Sequence, residues 1–178
     1  LFGGIKMAIS TIVKNKRDGV LTIKDGTSTT PNTFVVNFSE GDLRYVPHSQ
    51  SRPILIKDNQ GARSHYKKGD EFEAEGTISF SFKYCDRNAR AALTCGTVDS
   101  TVWTSTAASD SNIPSFYKTV DIEYQIYADI DAGTKGEIIT FTKVWFNPAS
   151  IQFSEGDEAN TLSAEGLILG EITEAVDS

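Results

Sequence analysis

Gly76-Thr77-Ile78-Ser79-Phe80-Ser81-Phe82-Lys83-Tyr84 decides the fold class. From Ile78 onward the even positions are large and apolar and the odd ones polar. This is the period-2 signature of a strand with one buried and one wet face. Val120-Asp121-Ile122-Glu123-Tyr124-Gln125-Ile126 repeats the pattern, placing Asp121, Glu123 and Gln125 on the polar face. Working outward, Val20 to Lys24, Thr33 to Phe38, Ile54 to Lys57, Val102 to Ser105, Glu137 to Phe146, Ser150 to Phe153 and Thr161 to Leu169 are short, β-branched or aromatic, and bounded by turn residues. Asp25-Gly26 and Ala132-Gly133 mark turns, and Pro148 closes a strand. The expectation is a mainly β chain, a sandwich or barrel.

Two stretches break the pattern. Asp86 to Gly96 starts on an N-cap residue, runs through alanines and a leucine, and ends at a glycine suited to the C′ position, which predicts one short flanking α-helix over about 86–95. Residues 41–69 hold Pro47, Pro53, both histidines (His48 and His65) and six basic residues: Arg44, Arg52, Lys57, Arg63, Lys67 and Lys68. They read as a long loop in which only Ile54 to Ile56 looks like core, and an insertion of that length in a compact domain is usually functional or disordered.

At 178 residues the chain has the length of one domain, read here as residues 8–178. Residues 1–7 are read as an N-terminal extension that need not be native. No apolar run approaches the roughly 20 residues of a membrane-spanning helix, so no membrane partner is expected. Net charge is −7, which argues against gripping nucleic acid through its phosphates. The charge is uneven: residues 1–75 carry 11 Lys and Arg against 9 Asp and Glu, residues 76–178 carry 6 against 15. Such asymmetry suits head-to-tail self-association.

Catalytic chemistry finds little footing. No nucleophile elbow accompanies a serine, His48 and His65 read as exposed loop residues, and acidic pairs such as Asp121 with Glu123 are expected on the wet faces of an acidic β protein. Asp129-Ile130-Asp131 lacks the further ligands of a calcium loop, and the spacing of Cys85 and Cys95 fits no zinc pattern. Whether these two thiols pair stays open. No catalytic residue, metal or cofactor is predicted. The word Phe-Ser-Glu-Gly-Asp occurs at 38–42 and 153–157 with unlike flanks, and reads as strand-ending punctuation in which an inward phenylalanine pins the strand.

The order of parts resembles the tail tube proteins of long-tailed bacteriophages, a family related in fold to contractile-tail and secretion-system tube proteins. The resemblance covers residues 8–175. It is carried by an arm over Ala8 to Asp18, two strands, the 41–69 loop, Tyr66 to Asp70 leading into Gly76 to Phe82, the helix, and a hairpin-rich close through Lys143 to Phe146, Phe153 to Asp157 and Leu162 to Glu165. It implies a non-enzymatic subunit of a virion tail, assembled in the host cytoplasm. Rings, hexameric by analogy, would stack into a hollow tube through which DNA passes transiently and without specific binding. Partners would be further copies of the chain, the tape measure, the tail tip and the terminator. On this reading Asp121, Glu123, Gln125 and Glu137 are candidates for an acidic lumen. Arg44, Tyr45, His48, Arg52, Arg63, His65, Lys67 and Lys68 are candidates for the contact between rings. Two alternatives stand beside it: a monomeric or trimeric carbohydrate- or ligand-binding β-sandwich using Tyr45, Trp103 and Tyr117, and another phage structural role such as a decoration or baseplate protein.

Overall fold

The computed structural model describes residues 19–36, 43–50, 54–67, 72–84, 87–129, 134–155 and 160–176. The predicted arm, Arg52, Lys68, Cys85, Asp86, the first Phe-Ser-Glu-Gly-Asp copy and the Ala132-Gly133 turn lie outside them. The described chain is mainly β, with one α-helix. Its strands are β1 Gly19–Lys24, β2 Thr33–Val36, β3 Arg44–Val46, β4 Ser49–Gln50, β5 Ile54–Lys57, β6 Arg63–Lys67, β7 Phe72–Ala74, β8 Gly76–Lys83, β9 Thr97–Val98, β10 Thr101–Val102, β11 Thr119–Asp129, β12 Thr134–Phe146, β13 Gln152–Ser154, β14 Thr161–Ile168 and β15 Ile172–Val176, and α1 is Arg87–Leu93.

Nine strands form one antiparallel sheet in the order β2-β1-β11-β12-β14-β8-β3, with β13 added to β14 and β15 to β12. The alternation in β8 is realised without a break: Ile78, Phe80 and Phe82 are buried, and Thr77, Ser79, Ser81 and Lys83 are half exposed. The sheet bends so that its two halves share one core. Leu21, Ile23, Ile122 and Phe141 come from one half, and Ile78, Phe80, Leu162 and Ile168 from the other. At the far end β3 folds back over β12, where Tyr45 meets Phe141 edge-on with ring centroids 5.1 Å apart.

The bend is built into β12. Residues 137–141 pair with β15, and residues 144–146 pair with β14. Between them lies a bulge: Val120 opposes Val144 and Ile122 opposes Phe141, so Asp121 faces both Thr142 and Lys143. Lys143 adopts φ +53, a left-handed conformation that costs a side-chain-bearing residue about 1–2 kcal/mol.

Several elements differ from expectation. Thr101–Val102 pairs only with β9, and Trp103 and Ser105 are buried in a loop, because Trp103 N–H and Thr104 N–H go to Gly96 O and to Asp25. Ser150 belongs to a 3₁₀ turn, Pro148–Ser150, capped by the Asn147 side chain. Phe153 is not the inward pin expected of it: it is 54% exposed and lies edge-on to Tyr84. The left-handed residue ending α1 is Cys95, not Gly96. The Gly96 N–H reaches back to Ala91 O and the Cys95 N–H to Ala92 O, a Schellman closure. Strand β15 was missed, although Gly170 followed by Ile172-Thr173 carried a strand signal.

Asp25, read from sequence as half of a turn, is a buried hub. Its carboxylate accepts hydrogen bonds from the backbone N–H groups of Thr27, Asn32 and Thr104 and from the side chains of Thr27 and Asn32. Burial opposes its charge, but the bonds from Asn32, Thr104 and Thr27 outweigh that and hold its pKa below the usual 3.8. A carboxylate depressed in the folded state adds stability that is fully present above its unfolded pKa and disappears as pH falls through the folded value. Replacing Asp25 by Ala is therefore expected to flatten the loss of stability that urea melts show as pH falls below the ordinary aspartate range.

Gly166 sits in β14 opposite Phe146, and a Cβ there would lie 2.8 Å from the Phe146 ring and 2.9 Å from Val144 Cγ1. Gly166→Ala is expected to destabilise by about 1–3 kcal/mol, read as a lowered urea midpoint with an unchanged slope.

Candidate assembly interface

The polar face of β11 is less wet than its pattern implies. Asp121 Oδ1 accepts the Lys143 N–H at 2.8 Å, which satisfies the backbone donor freed by the bulge. Glu123 pairs with Lys24 of β1 at 2.6 Å, each about a third exposed, a contact worth about 0–1 kcal/mol. Gln125 is buried at 8%, and its amide donates to the Ile126 and Glu137 carbonyls, because the pairing slips between Ile126 and Tyr127 and draws the side chain in. Glu137 is exposed. Of the four lumen candidates, three are thus engaged within the chain.

The candidates in 41–69 separate into two groups. Arg44 and Tyr45 lie on β3 of the large sheet, and His48 lies in the link that follows, packed against that sheet. Arg44 is exposed on β3 opposite Ser79. The Tyr45 hydroxyl donates to Glu174 Oε1 at 3.2 Å, and burial, then that bond and the charge of Glu174, push the phenol pKa up. His48 is not an exposed loop residue. The Gly76 N–H donates to its Nδ1 at 3.0 Å, so Nε2 carries the proton and donates to Gly170 O at 2.8 Å. The imidazole thereby fastens the start of β8 to the β14–β15 turn.

Arg63, His65 and Lys67 form the second group, on strand β6. It pairs with β5 in the register Ile54 to Lys67, Leu55 to Tyr66 and Ile56 to His65. The turn is tied by Asp58, whose Oδ1 accepts from Gln60 and Ala62 N–H, with Gly61 at φ +81. The predicted core residue Leu55 is exposed, as is Tyr66, with the Arg63 guanidinium 4.7 Å over its ring. A two-stranded ribbon has no second layer to bury these side chains.

Sequence reasoning missed the surface next to β15. The direct pairs of β12 and β15 are Phe141 with Ile172, Ile139 with Glu174, and Glu137 with Val176. Directly opposed residues share a face, so Ile139, Glu174, Glu137 and Val176 continue the face on which Phe141 is fully buried. Past Ile172 that face opens into a groove of about 520 Å³ against Tyr45, and Val176 is 80% exposed. A second apolar area joins Phe116, Tyr117 and Trp145 through edge-on contacts of 5.4 and 5.1 Å.

Enzymatic features are sparse. Cys95 is a buried free thiol donating to Trp103 O, and burial, ahead of the charge of Asp25, pushes its pKa up to about 11. A thiol so shifted is inert at neutral pH. Among the described residues no group of three His, Cys, Asp or Glu side chains is placed to hold a metal, and no helix is long and apolar enough to cross a membrane. Trp103, one of three aromatics proposed for ligand binding, is 5% exposed and unavailable.

No protein-family model matches the chain, and no curated protein matches it in sequence. Solved structures do match in fold. The cap that terminates the tube of the anti-feeding prophage superposes with a TM-score of 0.55 at 11% identity, over 96% of this chain and 95% of that one. The sheath/tube terminator of the extracellular contractile injection system PVC gives 0.53 at 10% identity, over 97% and 99%. The PVC sheath-tube complex gives 0.51 at 11% identity, over 97% and 95%. The likeness is one of fold, along nearly the whole length of both chains.

If Asp121 serves the bulge, Asp121→Ala orphans the Lys143 N–H and destabilises by about 1–3 kcal/mol, whereas Asp121→Asn keeps an acceptor and stays within about 1 kcal/mol of the parent. Equal melting temperatures for the two variants would contradict this role.

Proposed function

We propose that this chain, with its tail-tube-like fold, is a non-enzymatic structural subunit that associates with its own copies into rings, six to a ring, which stack into a hollow tube. The observation that carries the reading is the open sheet. Among the described residues β2 and β3 end the main strand path, while β13 and β15 are side strands also paired on one side only; β2 and β3 expose Val35 at 54% and Val46 at 46%. Unpaired edges with apolar side chains are a standing template for another chain. Two unlike edges on one subunit make a head-to-tail contact, which closes when the rotation between copies divides a circle. The length-wide likeness in fold to tube and tube-terminating components supports the same reading.

In this assembly the β5–β6 hairpin within residues 41–69 reaches between rings, and tape measure, tail tip and terminator meet the tube in the virion tail. DNA is the passenger. The net charge of −7 disfavours its retention, but β11 contributes less of that repulsion than its sequence promised, since Glu123 is paired with the Lys24 ammonium within the chain. A second reading, a ring that ends the tube instead of repeating along it, is favoured by the likeness to two terminating components.

Negative-stain microscopy and sedimentation velocity of the purified chain test the proposal. Rings of six-fold symmetry that grow into tubes are expected. Rings that never stack favour the terminating role, and a monomer at high concentration that tail tips cannot seed overturns both.

A further inference from the structure

We infer that the groove between β12 and β15 is the receptor for the β5–β6 hairpin of a second copy in the adjoining ring. The inference rests on the stacking proposed above and assigns both of its surfaces. Three observations meet here.

Among the described residues the groove is a core face without a cover. Phe141 and Ile172 pack into the interior, and two residues further on the same face presents Ile139 and then Val176, which is 80% exposed. Glu137 and Glu174 stand among these apolar side chains. The site therefore asks for an apolar surface carrying positive charge.

The hairpin has that composition. Leu55 and Tyr66 are a direct cross-strand pair, both exposed, with Lys57, Arg63 and Lys67 exposed around them. Its only acid, Asp58, is turned back onto its own turn, so the ribbon presents cations. A lone two-stranded ribbon is marginal in water, and docking buries the Leu55–Tyr66 pair that the chain itself leaves out.

The two surfaces are also compatible in charge only across copies of opposite polarity. The hairpin carries cations and the groove carries anions, so groove against groove or hairpin against hairpin repels. The contact is heterologous and propagates, which is what stacking requires and a closed two-fold dimer does not supply.

The test uses the full chain in three charge variants: Glu137→Lys with Glu174→Lys, Arg63→Glu with Lys67→Glu, and all four together. Each pair is expected to leave single rings intact while the fraction sedimenting as tubes falls at least tenfold, and the fourfold variant is expected to regain tubes. Because a reversed charge can disturb folding, a second measurement uses Tyr66→Cys and Val176→Cys on separate chains. Mild oxidation of the mixture is expected to give a cross-linked dimer that neither chain gives alone. Wild-type tubes unaffected by either charge pair, with no cross-link, overturn the inference and leave the tube assignment standing. A wild-type chain that stays monomeric and yields no cross-link overturns both.

Discussion

The bulge opposite Asp121 is the constraint on which the rest of the molecule depends. A straight thirteen-residue strand would keep one neighbour along its whole length, and the sheet would stay flat. By placing Lys143 in a left-handed conformation, β12 turns, releases β15 and takes up β14. The local strain is offset by a set of bonds that fit only this geometry. The Lys143 N–H goes to Asp121, and Thr142 exchanges backbone bonds with Gly170 and Glu171 while Leu169 N–H reaches Lys143 O. The same lysine sends its Nζ to Asp110 at 2.5 Å, tying down the 106–117 loop. A glycine would relieve the backbone and lose that tie.

From the bulge follow both the core and the surfaces. The half of the sheet that carries β8 and β14 closes over β1, β11 and β12, and Phe141 and Phe146 fill the space between. The half that carries β15 runs on past the core, which is why an inward-facing row ends in exposed Val176. Interior and assembly surface are thus two lengths of one sheet face. They are separated by where the covering strands stop.

The polar groups show the same economy of position. Asp25, Asp121 and His48 each look like surface residues in the chain, flanked by glycine, proline or alternating polar positions. In the fold each one accepts or donates bonds at a place where two segments distant in sequence meet: Asp25 with Thr104, Asp121 with Lys143, His48 with Gly76 and Gly170. An unpaired backbone group at such a junction costs as much as a lost hydrogen bond, so short polar side chains collect there.

What depends on local periodicity and local backbone chemistry was legible in the residues alone. The two-residue alternation of Gly76 to Lys83 identified β8 and its buried face, since a pleated strand has that period whatever it packs against. The alanine-rich run identified α1, and the resemblance in layout identified the fold. What depends on neighbours was fixed by the path of the folded chain. Gln125 and Glu123 occupy equivalent places in one alternating run, but a slip in the ladder buries the first, and Lys24 on an adjacent strand meets the second. Phe153 and Leu55 are as apolar as Phe82, but among the described residues no second layer reaches them. A residue's polarity states which surroundings it tolerates, and the path of the chain, set at one bulge in β12, states which surroundings it has.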